Sequence, residues 1–168
     1  MDIIQIVGYK NSGKTTLVSN IIEILTKYKS QVASLKHHGH GGLPLGFEQT
    51  DSEKHKQAGA LIAGVEGEGV LQLSMEKWNI EQMIAIYKLM GIEILVIEGY
   101  KHFPFPKIVL IHSKEDLSLL ECVENVKVVI TSIPITDSKS SYIVFNKQEL
   151  DKFYEWIICK YLEKGAVP

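Results

Sequence analysis

The sequence predicts an α/β protein: a doubly wound, mainly parallel sheet with helices on both faces and a small β-hairpin. Three observations predict it. Short apolar runs alternate with segments of helical periodicity along most of the 168 residues. The run at 92–97 is nearly continuous apolar and is bounded by Gly91 and Gly99, as suits a central strand covered on both faces. Residues 8–16, GYKNSGKTT, stand between an apolar run and a helical pattern, at the turn from a first strand into a first helix.

Taken in order, residues 2–7 read as a buried strand. The helix that follows carries Leu17, Ile21, Ile24, Leu25 and Tyr28 at helical spacing and stops at Lys29 and Ser30. A strand at 32–36 leads into a long glycine- and proline-bearing loop, and Asp51 or Ser52 then caps a short helix that ends at Gly59. Residues 61–65 and 70–73 read as a hairpin turning through Glu66, Gly67, Glu68 and Gly69. Asn79 with Gln82 caps a helix ended by Gly91, with Met83 and Met90 expected on its core stripe. Strands are expected at 92–97, 107–111, 126–130 and 142–145, a short helix at 114–120, and a last helix from Lys147 to about Leu162. The length is that of one domain, so residues 1–168 are read as a single nucleotide-binding domain.

The loop at 8–16 has the spacing Gly, any four, Gly, Lys, Ser or Thr. That pattern curls backbone N–H groups around phosphate oxygens, and a side chain at Gly8 or Gly13 would obstruct the turn. The fold is therefore expected to be of the P-loop NTPase type. Gly8, Asn11, Ser12, Gly13, Lys14, Thr15 and Thr16 would form the nucleotide loop, Lys14 reaching the β- and γ-phosphates and the Thr15 hydroxyl ligating Mg²⁺. Glu98 ends the central strand where a carboxylate can hold Mg²⁺ or orient water, and Lys101 follows as a charge for an anionic ligand.

Lys36, His37, His38 and His40 form the densest histidine group. Contact with phosphate or substrate, a transition-metal site and a solvated loop all remain open for it. Asp51 is a candidate Mg²⁺ or water partner beside its reading as a cap. Asn146, Lys147, Gln148 and Glu149 approach the guanine-reading pattern Asn, Lys, any, Asp, with Glu in the last place. In a doubly wound sheet, ligands bind at the carboxyl ends of the strands, where these segments converge.

Composition excludes several classes. Eighteen Lys and Arg against 20 Asp and Glu leave a net charge of −2, without the basic footprint of a nucleic-acid binder. No run reaches the ~18 apolar residues that a membrane helix needs. The apolar start is too short for a signal peptide, and a cytoplasmic location is expected. Cys122 and Cys159 fit no metal or redox spacing and read as core or partly buried thiols.

Taken together, GYKNSGKTTL, KHHGHG, DSEKHKQAGA and ILVIEGYKHFPFPKI resemble the molybdopterin-guanine dinucleotide biosynthesis protein B (MobB) family, over residues 1 to about 111. The resemblance implies a small, usually dimeric P-loop GTPase with weak hydrolysis, whose cofactors are GTP and Mg²⁺. It implies an accessory role beside the molybdenum cofactor guanylyltransferase, which attaches GMP to molybdopterin, with molybdopterin itself a further candidate ligand. Carried over by residue, Gly8, Gly13, Lys14, Thr15 and Thr16 form the nucleotide loop, Glu98 is the Walker-B acid, and Lys36, His37 and Asp51 line the cleft. Two departures stand out: Tyr9 occupies the place where the wider class often has a lysine, and Thr131 and Ser132 are not followed at once by an aspartate. Rival readings are a P-loop small-molecule kinase and a nickel-delivery GTPase using His37, His38 and His40.

Overall fold

The structure, a computed structural model, describes residues 1–39, 51–135 and 141–162. They gather into two compact units, Met1–His37 with Tyr87–Pro168, and His38–Ile86. In chain order the elements are β1 (Asp2–Val7), α1 (Lys14–Lys27), β2 (Val32–Lys36), α2 (Asp51–Gln57), β3 (Ile62–Gly67), β4 (Val70–Met75), α3 (Ile80–Leu89), β5 (Ile94–Glu98), β6 (Lys107–Ile111), α4 (Ser118–Cys122), β7 (Val126–Thr131), β8 (Ile143–Asn146) and α5 (Leu150–Tyr161).

The first unit is built on one sheet in the order β2-β5-β1-β6-β7-β8, every pairing parallel. The strand period of two divides its side chains between two cores. On one face Ile4, Ile6, Val96 and Leu110 pack against Leu17, Val18, Ile21 and Leu25 of α1 and Phe153 and Ile157 of α5. On the other, Val7, Val109 and Val129 meet Leu119 of α4 and Val123. All five residues of β5 are buried, as its apolar run predicts. Because the chain leaves β1 toward β2 on one side and later fills β6 on the other, the crevice above β1 is the topological switch point.

The second unit holds α2 and the antiparallel pair β3–β4. Its turn is tighter than the sequence suggests: Glu66 and Gly67 are in the ladder, and only Glu68 and Gly69 turn, at φ 50° and 81°. Two positive φ values in succession form the two-residue hairpin turn whose twist matches the strands. At α3 the capping box is present, Gln82 N–H donating to Asn79 Oδ1 (2.8 Å) and Asn79 N–H to Gln82 Oε1 (3.0 Å). The expected stripe is only half-buried: Ile80, Met83, Ile84 and Tyr87 are partly covered, none fully, and Met90, just beyond the helix, is 72% exposed and off the core. Both cysteines are exposed rather than core residues, because Cys122 ends a five-residue helix and Cys159 lies off the stripe that α5 buries with Phe153 and Ile157.

Two polar side chains lie inside the sheet. Gln5 and Lys107 are register partners on β1 and β6 and are fully buried. Gln5 Nε2 donates to the carbonyls of Gly99 (2.7 Å) and Tyr100 (2.5 Å), and Lys107 Nζ donates to those of Phe103 and Phe105. The segment 99–105 is thus pinned from beneath by buried donors. Burial pushes the Lys107 pKa below the ordinary lysine range, with Glu124 opposing.

Candidate functional site

Residues 8–13 leave the centre of the sheet and turn straight into α1. Gly8 is buried against β6, where an added Cβ would stand 2.5 Å from Ser12 Oγ and 3.2 Å from Leu110 Cβ. Gly13, at φ 83°, is the residue before α1 and has open space around a Cβ, so it is glycine for its backbone and not for room. Asn11 also adopts positive φ, 61°, which asparagine tolerates better than most residues. Ser12 is buried and Thr16 exposed on the first turn of the helix.

Three lysines surround this loop. Lys14 Nζ donates to the Tyr9 carbonyl (2.5 Å) and Ser12 Oγ (3.3 Å), and Lys101 Nζ stands 4.2 Å from the centre of the Tyr9 ring. Burial holds the Lys14 pKa below the usual range; Glu98 opposes that, while Lys101 and Lys36 lower it further by like-charge repulsion. An arriving anion relieves that repulsion.

Thr15 and Glu98 come together at the carboxyl end of β5. The Thr15 hydroxyl donates to Glu98 Oε1 at 3.0 Å and Oε2 at 3.2 Å. Lys36 Nζ closes the group at 3.0 Å from Thr15 Oγ1 and 3.1 Å from Glu98 Oε1. β2 and β5 pair in register with Lys36 opposite Glu98, which is why residues 62 positions apart in sequence meet here. A carboxylate and a hydroxyl that already hold an ammonium, through Glu98 Oε1 and Thr15 Oγ1, are a donor set suited to a hard divalent cation.

His37 continues the β2 ladder through its N–H to the Glu98 carbonyl (2.9 Å), and its ring lies against Tyr100 at 4.4 Å between centroids. Tyr100 in turn stacks on Phe103. Asp51 opens α2 in the second unit, where it pairs with Lys54 at 2.7 Å. His38 also belongs to that unit, and His40 lies outside the described residues. Among the described residues no three His, Cys, Asp or Glu side chains gather as a metal site. Asn146 caps the turn after β8, its Oδ1 accepting from Gln148 N–H at 2.9 Å, so the guanine-like tetrapeptide serves here as a capping sequence.

His112 escaped the sequence reading. Its Nε2 lies 2.6 Å from the Ser12 carbonyl oxygen and its Nδ1 3.2 Å from Ser132 Oγ. It also lines a pocket of about 170 Å³ beside Gly13, Thr16, Asn20, Lys147 and Tyr154. The signal was positional: a histidine directly after an apolar strand in such a sheet stands at the ligand edge.

Residues 3–132 match the family model MobB, described as molybdopterin guanine dinucleotide synthesis protein B. Over 129 residues, 76% of this chain and 75% of the relative, the sequence is 41% identical to the "Probable molybdopterin-guanine dinucleotide biosynthesis adapter protein" of Bacillus subtilis. The crystal structure of Bacillus subtilis MobB superposes with a TM-score of 0.75 at 33% identity, covering 99% of this chain and all of the other. That of a MobB homolog from Bacillus stearothermophilus gives 0.74 at 29%, covering 98% and 100%. With a family match across most of its length and solved relatives of the same architecture, the chain belongs to the MobB family.

Proposed function

We propose that this chain is a GTP-binding adapter protein with weak, Mg²⁺-dependent GTPase activity that assists molybdopterin guanine dinucleotide formation in the cytoplasm. One observation carries the nucleotide reading. Lys14, Lys36 and Lys101 crowd a glycine-bearing loop at a helix N-terminus, beside a Thr15–Glu98 pair that already holds a cation. Such a concentration of positive charge and donors is stable in company with a polyphosphate and strained without one.

The donor set fits Mg²⁺: Thr15 and Glu98 would hold it, directly or through water, with Asp51 as a third candidate. Bound Mg²⁺ would supply charge neutralisation on the β- and γ-phosphates. The chain's own part is electrostatic and positional. Lys14 and the loop amides offset charge growing on the bridging oxygen, Lys36 and Lys101 balance the outer phosphate oxygens, and Glu98 or Asp51 orients water. Nothing in that set is a strong general base, in keeping with slow hydrolysis.

The adapter role rests on the family and on its relatives' names. A homodimer, and docking of the molybdenum cofactor guanylyltransferase, find support in Leu61, Val70 and Leu71, which are 77%, 67% and 64% exposed on or beside the hairpin. Titration of GTP into wild type and Lys14→Ala tests the central claim. Binding is expected in the first and loss of phosphate-dependent affinity in the second; equal affinities would refute it. Single-turnover hydrolysis with and without the guanylyltransferase then separates a GTPase from an adapter that only senses nucleotide.

A further inference from the structure

The loop that is to receive phosphate is held from outside by a side chain of a different strand. His112 follows β6, and its main-chain N–H is fixed by Asp116 Oδ2 at 2.7 Å, which also accepts from Ser113 N–H at 3.1 Å. The ring is fixed as well. A carbonyl oxygen only accepts, so the short contact of Nε2 with Ser12 O requires the proton on Nε2, leaving Nδ1 to accept from the Ser132 hydroxyl in the neutral ring.

The consequence follows from peptide geometry. The Ser12–Gly13 peptide is trans and planar, so its C=O and N–H point in opposite directions. A Ser12 carbonyl drawn toward His112 turns the Gly13 N–H the other way, away from the histidine. A peptide next to glycine is easily flipped, since glycine accepts both signs of φ. If this one flipped, it would present a carbonyl oxygen where a donor is needed, and an anion would be repelled. Gly13 itself sits at φ 83°, the conformation of the anchored orientation.

We propose that His112 is a positioning residue: by hydrogen-bonding the Ser12 carbonyl it holds the Gly13 N–H in the orientation that binds a phosphate oxygen. The proposal rests on the phosphate-loop reading above and adds to it a determinant outside the motif. Ser132, directly after β7, holds the ring through Nδ1 and so ties the end of the next strand to the same setting.

The test compares His112→Leu, which fills the space without a donor, with His112→Gln, whose terminal amide can stand where Nε2 stood. Inorganic tripolyphosphate and GTP are titrated into each by calorimetry, with the Gly13 amide followed by ¹⁵N–¹H NMR. Wild type and His112→Gln are expected to bind alike, with the Gly13 amide moving downfield on binding. His112→Leu is expected to bind tripolyphosphate about tenfold or more weakly, the worth of one hydrogen bond to a charged group, without that amide shift. Should His112→Leu fail to fold, His112→Ala replaces it in the same contrast. Equal affinity of His112→Leu and wild type, or an equal loss in His112→Gln, overturns the proposal. Lys14→Ala distinguishes the two levels: if it loses binding while His112→Leu does not, only this inference falls. If wild type binds neither probe, the nucleotide reading falls and takes this one with it.

Discussion

Gly8 and Gly13 bracket the loop for different physical reasons, and the difference can be measured. At Gly8 a methyl group meets Ser12 Oγ at 2.5 Å and the β-carbon of Leu110, so Gly8→Ala must displace the buried serine that Lys14 contacts. At Gly13 the space is open and only the left-handed φ resists, at a cost of about 1–2 kcal/mol for an L-residue. The motif locates both glycines but cannot tell obstruction from backbone strain; the structure removes obstruction as the reason at Gly13. Nucleotide affinity is therefore expected to vanish in Gly8→Ala and to survive, weakened, in Gly13→Ala, as read by titration at a temperature where both are folded. Lys36 makes a second prediction. Its ammonium sits where a divalent cation would, touching Thr15 and Glu98, and it is 60% exposed, so each contact is worth little alone. Without Mg²⁺ it is the cation that shields Glu98 from an incoming phosphate; with Mg²⁺ the metal does so. Lys36→Met should thus weaken GTP binding a few-fold in EDTA and less in Mg²⁺, on the scale of about 1 kcal/mol. Equal losses in both buffers would refute competition for one cation position.

Among the elements, legibility followed whether a signal was local. Strand β5 is legible in its own apolar run, and the start of α3 in Asn79 and Gln82, because a capping box is complete within four residues. Asn79→Ala should cost about 1 kcal/mol, seen as a lower midpoint in urea at unchanged slope. What α3 packs against is not local, which is why Met90, expected on the core stripe, is exposed. The same holds for Gln5, whose bonds to the Gly99 and Tyr100 carbonyls, 94 and 95 positions away, depend on the β1–β5 pairing, whereas Lys107 reaches Phe103 and Phe105 only four and two positions back. Helix α5 offers a pH test. Burial, with the Asp2 charge adding, pushes the Tyr161 pKa up to about 12, above its usual value near 10. A raised pKa means that the folded state keeps its proton longer than the unfolded one. The stabilising contribution is therefore whole below pH 10 and is lost as pH rises from 10 to 12, by about 3 kcal/mol in all. Tyr161→Phe should lack that part of the alkaline slope; identical slopes in urea unfolding at pH 9 to 12 would show Tyr161 to be unperturbed.

For the molecule as a whole, the sheet order sets what a bound nucleotide can do. β1 lies between β5 and β6, so the phosphate loop, Glu98 and His112 leave three adjacent strands at one edge, and a ligand gripping all three ties the first unit together. This convergence was legible from the strand and helix alternation alone, whereas the grip of His112 on Ser12 was not, since it joins side chain and backbone 100 residues apart. A ligand that binds only the folded state adds RT ln(1 + [L]/Kd), about 2.7 kcal/mol at a hundredfold excess over Kd. Hydrogen exchange should report that increment as slower opening of β1, β5 and α1 when GTP and Mg²⁺ are added, and Lys14→Ala should abolish it. Asp51 lies in the other unit, opening α2, and its proposed part in holding Mg²⁺ or water makes a sharper demand. Amides of α2 must gain protection in the same experiment, and Asp51→Asn must remove that gain while sparing the gain in β1 and α1. If α2 exchanges at one rate with and without GTP and Mg²⁺, Asp51 is only the first residue of a helix paired with Lys54, and Glu98 alone orients the water.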